Sequence, residues 1–384
     1  MPKVVIFQYR LFHYRIELFN LMRALAAQRG IEVVVVAGQA FGKEILKRDE
    51  GTLGWECRVK SLYFPIDEKK DLCWQPWPKQ HRDADLLVFM QENRLLANYW
   101  WILRRRLGRG PAVAYWGHGK DFHTRAPGGL REAWKRRAIR WVDWWFAYTS
   151  ITVDLVREAG FPAQRITLLN NAIDVHRIAA EWADAPADEV ARARERYGVT
   201  GGAPVGLLCG SLYSDKKLEL LVDAADRIRQ QCPDFVLIVI GDGPMGDFVR
   251  RAAASRPWMT YDGVRFGREK AIAFGLSTVM LNPGLVGLHI LDAFAMGLPM
   301  ITTVTAQHSP EIAYLVPDVN GLALEETASS YAAGVVSLLR DPERLAKMRD
   351  AARAQGLKYT VEAMAKNFVD GIARALEFAG GARG

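Results

Sequence analysis

Cysteine is scarce in this chain: four in 384 residues, at Cys57, Cys73, Cys209 and Cys232, with no Cys-x-x-Cys pair. That scarcity argues against a disulfide frame and a thiolate zinc site, and fits reduced thiols in a cytoplasmic protein. Long apolar runs are missing too, so no segment reads as a bilayer span. No short-period repeat or low-complexity tract occurs. The opening, MPKVVIFQYR, runs directly into a strand pattern without the n-region and cleavage site of a secretory signal.

What is present is ordinary for a soluble enzyme in bulk: 50% hydrophobic and 24% charged residues. The net charge of +8 is not evenly spread. Residues 1–185 hold 29 Lys and Arg against 20 Asp and Glu, whereas residues 186–384 hold 22 against 23. The excess therefore lies in the first half and suggests an anionic partner there. Two stretches of that half, NYWWILRRRLGRG (98–110) and REAWKRRAIRWVDWW (131–145), interleave tryptophan with arginine at helical spacing. Such helices can lie in a lipid interface. They can equally pack Trp on a sheet while Arg snorkels to water. No nucleic-acid module is visible, so nucleic acid is the weaker partner.

Short Val- and Ile-rich runs (KVVIFQY, IEVVVVAG, DLLVFM, AVAYWGHG) alternate with helical ones (FNLMRALAAQ, LLANYWWILRRRLG). Alternation of this kind predicts a parallel sheet with helices on both faces. The pattern breaks at 186–203 and restarts with VGLLCGSL, LELLVDAADRIRQQ and FVLIVIGDGP. Two α/β domains are expected, 1–185 and 186–360, with a helical segment over 361–384. Ligands in open parallel sheets bind beyond the carboxyl ends of the strands, which places the site in a cleft between two facing domains.

Residues 282–303, NPGLVGLHILDAFAMGLPMITT, end a strand and open a helix. The first amides there lack intrahelical partners and suit an anion, and glycine permits close approach. Asp292 follows a turn later, where a carboxylate can accept from a vicinal diol. Upstream, GSLYSDKK brings Lys216 and Lys217 to another strand end, within reach of a diphosphate, and VIGDGP makes a tight turn at Gly241. Each element alone also reads as an ordinary strand–turn–helix or a solvated lysine pair; their order within one domain favours a site.

In that order these runs resemble the donor-binding domain of GT-B glycosyltransferases, the large retaining family 4 type. The family's pattern is a Gly-Arg-Leu strand end, a Lys-Gly helix start, Gly-Asp-Gly-Pro, then Glu-x7-Glu followed by Gly-Leu-Pro. It is similar to GSLYSDKK, GDGP, GLVGLHILDAFAMGLPMITT and HSPEIAYLVPDVNGL here, and more loosely to YWGHG, AYTS and LLNNAID in the first half. The resemblance implies two Rossmann-like domains, with the C-terminal helix packing on the first. It implies transfer of a sugar from a nucleotide-sugar donor to a glycan or polyprenyl-diphosphate-linked acceptor, without a cofactor or required metal. The Asp-x-Asp at 83–85 accordingly reads as a loop entering a strand.

By the same resemblance His118, flanked by Gly117 and Gly119, lies beside the donor's anomeric carbon, and Lys216 meets the leaving diphosphate. Asp292 takes the ribose, His308 and Glu311 line the donor side, and backbone around Val264–Arg265 meets the base. Two departures stand out. The arginine beside the phosphate lysine is Ser211, and the first glutamate is Gly284. Sugar recognition then falls to amides of Leu285, Val286 and Gly287, with Leu288 completing the loop, and an atypical or deoxy sugar fits the loss. The family's N-terminal Gly-Gly loop is replaced by QYRLFHYRIELF, where Tyr9, Arg10, His13 and Arg15 are candidate acceptor contacts. A sugar-nucleotide epimerase or a non-catalytic nucleotide-sugar-binding subunit are the alternatives.

Overall fold

The computed structural model describes residues 1–47, 49–67, 70–119 and 130–381. The chain forms two compact units: Met1–Ile173 together with Val361–Gly384, and Asp174–Thr360.

In the first unit the strands are β1 (Lys3–Gln8), β2 (Glu32–Ala37), β3 (Cys57–Arg58), the hairpin β4 (Leu62–Asp67) and β5 (Lys70–Trp74), β6 (Leu86–Met90), β7 (Ala112–Gly117), β8 (Trp144–Ala147) and β9 (Ile166–Leu168). The main sheet runs β3-β2-β1-β6-β7-β8-β9, every pairing parallel. Helices α1 (Ile16–Gln28), α2 (Leu96–Arg106), α3 (Leu130–Ala138) and α4 (Ser150–Glu158) connect it. The strands are buried along nearly their whole length, which is why their sequences read as unbroken apolar runs. The hairpin was not legible as a sheet of its own; it is antiparallel and exposes Leu62, Phe64 and Ile66.

The second unit begins with α5 (Val175–Ala183) and α6 (Ala187–Tyr197). Then come β10 (Val205–Cys209), α7 (Leu218–Gln231), β11 (Val236–Ile240), α8 (Gly246–Ala254), β12 (Met259–Tyr261), α9 (Gly267–Gly275), β13 (Val279–Leu281), α10 (His289–Ala295), β14 (Met300–Thr303), β15 (Gly321–Leu324), α11 (Ala328–Leu339) and α12 (Pro342–Gly356). The sheet order is β12-β11-β10-β13-β14-β15, all parallel. Its core is built on Leu237, Val239, Val279 and Tyr331, whose hydroxyl donates to the Ile301 carbonyl at 2.8 Å. The division falls at Ile173/Asp174, ahead of the composition break at 186, because α5 packs on α9 and α10.

The C-terminal helix, α13 (Val361–Gly381), returns to the first unit and lies along α1 and the β7–β9 strands. Phe368 stacks on Phe146 at 4.4 Å and meets Trp116 edge-on at 5.0 Å. Among the described residues, no helix is long and apolar enough to cross a membrane. The basic Trp-rich stretches divide: Trp144 and Trp145 are core residues, whereas Trp100, Leu103, Leu107 and Trp134 are exposed.

Phe368 is fully buried. Phe368→Ala should therefore destabilise the first unit by about 3–5 kcal/mol. Urea unfolding followed by tryptophan fluorescence reads that loss.

Candidate functional site

The strand order of the second unit reverses between β10 and β13, which are neighbours although the chain leaves them in opposite directions. Segments leaving the carboxyl ends of these two strands therefore open a crevice, the usual ligand position of such sheets. After β10 comes the turn Ser214–Lys216; after β13 comes the loop 282–288.

The two segments lock together through their backbones. The Leu285 N–H donates to the Asp215 carbonyl at 2.8 Å. At this approach a Cβ on Gly284 would lie 2.0 Å from that same oxygen. No side chain fits at 284, so the missing glutamate is a packing requirement of this turn. Lys217 completes the turn at φ 53°, a strained value for a residue with a Cβ. Asn282 Nδ2 donates to the Gly284 and Leu285 carbonyls, Thr302 Oγ1 to the Gly284 carbonyl, and Thr303 Oγ1 to the Pro283 carbonyl. These three residues escaped the sequence reading; the polar pair that follows the apolar Met300 and Ile301 was the available signal.

His308 clamps the loop through both ring nitrogens. Its Nδ1 accepts from the Val286 N–H at 3.2 Å, and its Nε2 lies 3.0 Å from the Thr303 carbonyl. The first contact needs a bare Nδ1 and the second a protonated Nε2, which fixes one neutral tautomer. Burial pushes its pKa below the ordinary histidine value, in keeping with that neutral form. The expected sugar-binding amides divide. The Leu285 and Val286 N–H groups are taken by Asp215 and His308, while those of Gly287, Leu288 and His289 have no acceptor among the described residues.

Lys216 is 7% exposed, and its Nζ donates to the Leu285 carbonyl at 2.6 Å. Burial, with no carboxylate partner among the described residues, pushes its pKa down to about 7. Asp292 is also buried, and its Oδ2 is 2.7 Å from Lys270 Nζ, a partner that nothing in the sequence announced. His289 Nε2 is buried with no partner among the described residues. Burial, then the charges of Lys216 and Lys270, hold His289 neutral.

The remaining candidates scatter. Lys217 pairs with Glu326 and Ser211 is exposed. Gly241 makes a close backbone crossing: a Cβ there would lie 1.9 Å from the Gly210 carbonyl oxygen. Val264 is exposed, and Arg265 is held by Asp262 at 2.9 Å and Glu269 at 3.3 Å. Glu311 is buried in the turn Pro310–Tyr314.

In the first unit, Gly117, His118 and Gly119 leave the end of β7. The Gly119 N–H donates to Gln91 Oε1 at 2.9 Å, and the His118 ring lies 4.4 Å from that of Tyr148. Tyr9, Arg10 and Arg15, candidate acceptor contacts in the sequence, are buried. Arg10 pairs with Asp49, and Arg15 lies over the rings of Tyr14, Trp116 and Tyr148 against Met364 Sδ. Both guanidiniums are consumed by packing; His13 alone of the four is exposed. Arg94, overlooked in the sequence, lies over the Tyr9 ring and gathers Glu44, Asp71 and Glu92. At 83–85, Lys3 meets Asp83 through Nζ at 2.7 Å and Asp85 through its backbone N–H at 2.9 Å.

Comparison with known proteins agrees with this architecture. Residues 18–177 match the family described as Glycosyltransferase Family 4, and residues 203–341 match Glycosyl transferases group 1. A GDP-mannose-dependent alpha-(1-6)-phosphatidylinositol monomannoside mannosyltransferase of Mycolicibacterium smegmatis is 27% identical over 208 residues, 50% of this chain and 52% of that one. An alpha-D-kanosaminyltransferase of Streptomyces kanamyceticus is 26% identical over 230 residues, 55% and 54% of the two chains. The chain thus spans about half the length of the curated relatives it matches. The structure of Anabaena Alr3699/HepE in complex with UDP and glucose is similar in fold, with a TM-score of 0.67 over 97% of this chain and 100% of that one, at 14% identity. The chain belongs to the family 4-type GT-B glycosyltransferases.

Two stability measurements check the site's construction. Gly284→Ala must displace the 214–217 turn and should cost about 1–3 kcal/mol or more. Gly287→Ala, where a Cβ meets nothing nearer than 3.6 Å, should be close to neutral in the same thermal melts. His308 contributes in full above its unfolded pKa of 6.5, because the folded state resists a proton that the unfolded chain accepts. Stability should therefore fall as pH drops below about 6.5. The fall should be smaller in His308→Asn, measured by denaturant titration at pH 7.5 and 5.5.

Proposed function

We propose that the chain is a retaining glycosyltransferase that moves a sugar from a nucleotide-sugar donor to a glycan or lipid-linked acceptor of cell-surface polysaccharide or glycolipid. One observation carries the reading: a buried lysine without a counter-anion among the described residues, Lys216, stands at the strand switch point beside the unspent amides of Gly287, Leu288 and His289. A donor diphosphate supplies the missing anion. Mannosyl and kanosaminyl transfer in the relatives, and UDP with glucose in the structural neighbour, support a nucleotide sugar as donor.

In the proposed front-face reaction the acceptor oxygen bonds to the anomeric carbon on the side from which the diphosphate departs. The bond from carbon to phosphate oxygen breaks, and the acceptor proton passes to the leaving diphosphate. Positioning and charge stabilisation then supply most of the rate. Lys216 meets charge that grows on the leaving group, Asp292 accepts from the ribose diol, and His118 stands at the anomeric carbon. Backbone at Val264–Arg265 takes the base, and no step calls on a metal. The acceptor falls to the first unit, whose exposed Trp100, Leu103, Leu107 and Trp134 among arginines support peripheral contact with an anionic bilayer on its cytoplasmic face. A nucleotide-sugar-binding subunit without turnover is the second reading, favoured by Ser211 and the closed position at Gly284.

A panel of uridine, guanosine and thymidine diphosphate sugars, with and without lipid-linked acceptor, tests both by release of free nucleoside diphosphate. Turnover with one donor is expected; thermal stabilisation with no turnover favours the second reading. Lys216→Ala should lower kcat more than it raises donor KM, because its charge pairs with charge that develops in the transition state. His118→Ala should cripple transfer and leave nucleoside diphosphate binding intact. In the wild type, the anion binds the protonated Lys216 ammonium, whose pKa lies at about 7 in the free protein. Nucleoside diphosphate affinity should therefore weaken as pH rises above that value, with proton uptake on binding visible by calorimetry in buffers of differing ionisation enthalpy. Affinity that is flat from pH 6 to 9 counts against Lys216 as the anion's partner.

A further inference from the structure

We propose that Lys270 is a second cation of the leaving-group site, supplying the charge that the arginine position, Ser211, does not. The inference rests on the transferase reading and assigns to it a residue outside the Gly-Arg-Leu, Lys-Gly, Gly-Asp-Gly-Pro and Glu-x7-Glu pattern.

A departing nucleoside diphosphate carries more than one negative charge. Ser211 is neutral and exposed, Lys217 is occupied by Glu326, and Arg265 by Asp262 and Glu269. Lys216 alone is left from the expected set. Lys270 comes from α9, with its Nζ 2.7 Å from Asp292 Oδ2 and 5.5 Å from the centroid of the Phe274 ring. Its charge and that of Lys216 both bear on His289, at the first position of α10, and on Cys209, at the end of β10. Lys216 Nζ meets the Leu285 carbonyl just ahead of α10 and Lys270 Nζ meets Asp292 within α10, so the two ammonium groups reach one loop–helix segment from different elements.

The groups that face Lys270 are Asp292, Cys209 and, more weakly, Glu181. Burial pushes the Cys209 thiol up to about 11, so it adds no charge near neutrality. His289 is neutral as well. Asp292 balances Lys270, and Lys216 has no carboxylate against it among the described residues, so charge on Lys216 is a surplus that an anion would offset. A carboxylate has lone pairs for about four hydrogen bonds. Lys270 on one oxygen of Asp292 leaves the other to accept from a diol. Lys270 can orient Asp292 and still present its remaining donors to phosphate oxygens.

The test separates those two duties. Calorimetry on the full chain compares nucleoside, nucleoside monophosphate and nucleoside diphosphate of whichever base the wild type binds. In Lys270→Met, the tightening from nucleoside to diphosphate should shrink on the order of tenfold, as expected for one charge-assisted contact. Nucleoside affinity should fall only as far as Asp292 loses its orienting partner, and kcat should fall. Lys270→Arg should keep most of the increment, and Ser211→Arg added to Lys270→Met should restore it. An undiminished increment in Lys270→Met overturns the proposal. So does a loss confined to the nucleoside, which would make Lys270 a prop for Asp292 alone. Lys270→Met strands a buried carboxylate and is liable to unfold. The double variant Lys270→Met/Asp292→Asn, compared with Asp292→Asn, gives the same increment without the stranded charge. A wild-type chain that binds no nucleoside diphosphate sinks the transferase reading itself, a result distinct from any difference among variants.

Discussion

The hydrogen bond from the Leu285 N–H to the Asp215 carbonyl fastens the loop after β13 to the turn after β10, and the crevice is built around it. It draws the 214–217 turn so close that position 284 can hold only glycine. It brings Lys216 Nζ onto the Leu285 carbonyl and uses up the first amide of the loop. His308 uses up the second, so the free donors are pushed along to Gly287, Leu288 and His289. Asn282, Thr302 and Thr303 hold the carbonyls behind them. Side chains hold the backbone so that the backbone can hold a ligand; donors fixed in this way need little reorganisation when an anion arrives.

Two ammonium groups enter this crevice and are treated differently. Lys216 is buried against a carbonyl, so its charge is disfavoured until an anion comes. Lys270 is half-buried against Asp292, whose charge outweighs desolvation, raises the lysine pKa and keeps the charge in place. The contrast follows from partners alone: desolvation lowers a lysine pKa and an adjacent carboxylate raises it. One lysine thus responds to the ligand, while the other is charged throughout.

Much of this was legible in sequence. Val- and Ile-rich runs marked the strands because parallel strands are covered on both faces, and the restart at VGLLCGSL marked a second sheet. Lys216, Asp292 and the 282–303 turn were legible because glycine, proline and a lone acid stand out in an apolar stretch. Partners remote in sequence were not. Lys270 reads as one charge in an amphipathic helix, and only the tertiary fold sets it against a residue 22 positions away. His308 looks like a ligand until both ring nitrogens are found engaged with backbone. Arg10 and Arg15 read as candidate acceptor contacts; aromatic packing holds both, and Asp49 pairs with Arg10. The hairpin over Leu62–Trp74 was missed because its apolar alternation faces outward, against the usual rule that such alternation marks a buried face.

The departure at 284 is not a bare loss on this view. A side chain at 284 would push the Asp215–Lys216 turn outward and withdraw the lysine, so the close approach and the absent acid imply each other. The consequence for specificity follows from hydrogen-bond polarity. A carboxylate accepts from a sugar hydroxyl and is left desolvated and unpaired when that hydroxyl is missing, which penalises a deoxy analogue heavily. Amide N–H groups only donate. A loop that reads the sugar through Gly287, Leu288 and His289 strands no buried anion when a hydroxyl is absent, so under the proposed reading a donor deoxygenated at the position the acid would grip is not selected against.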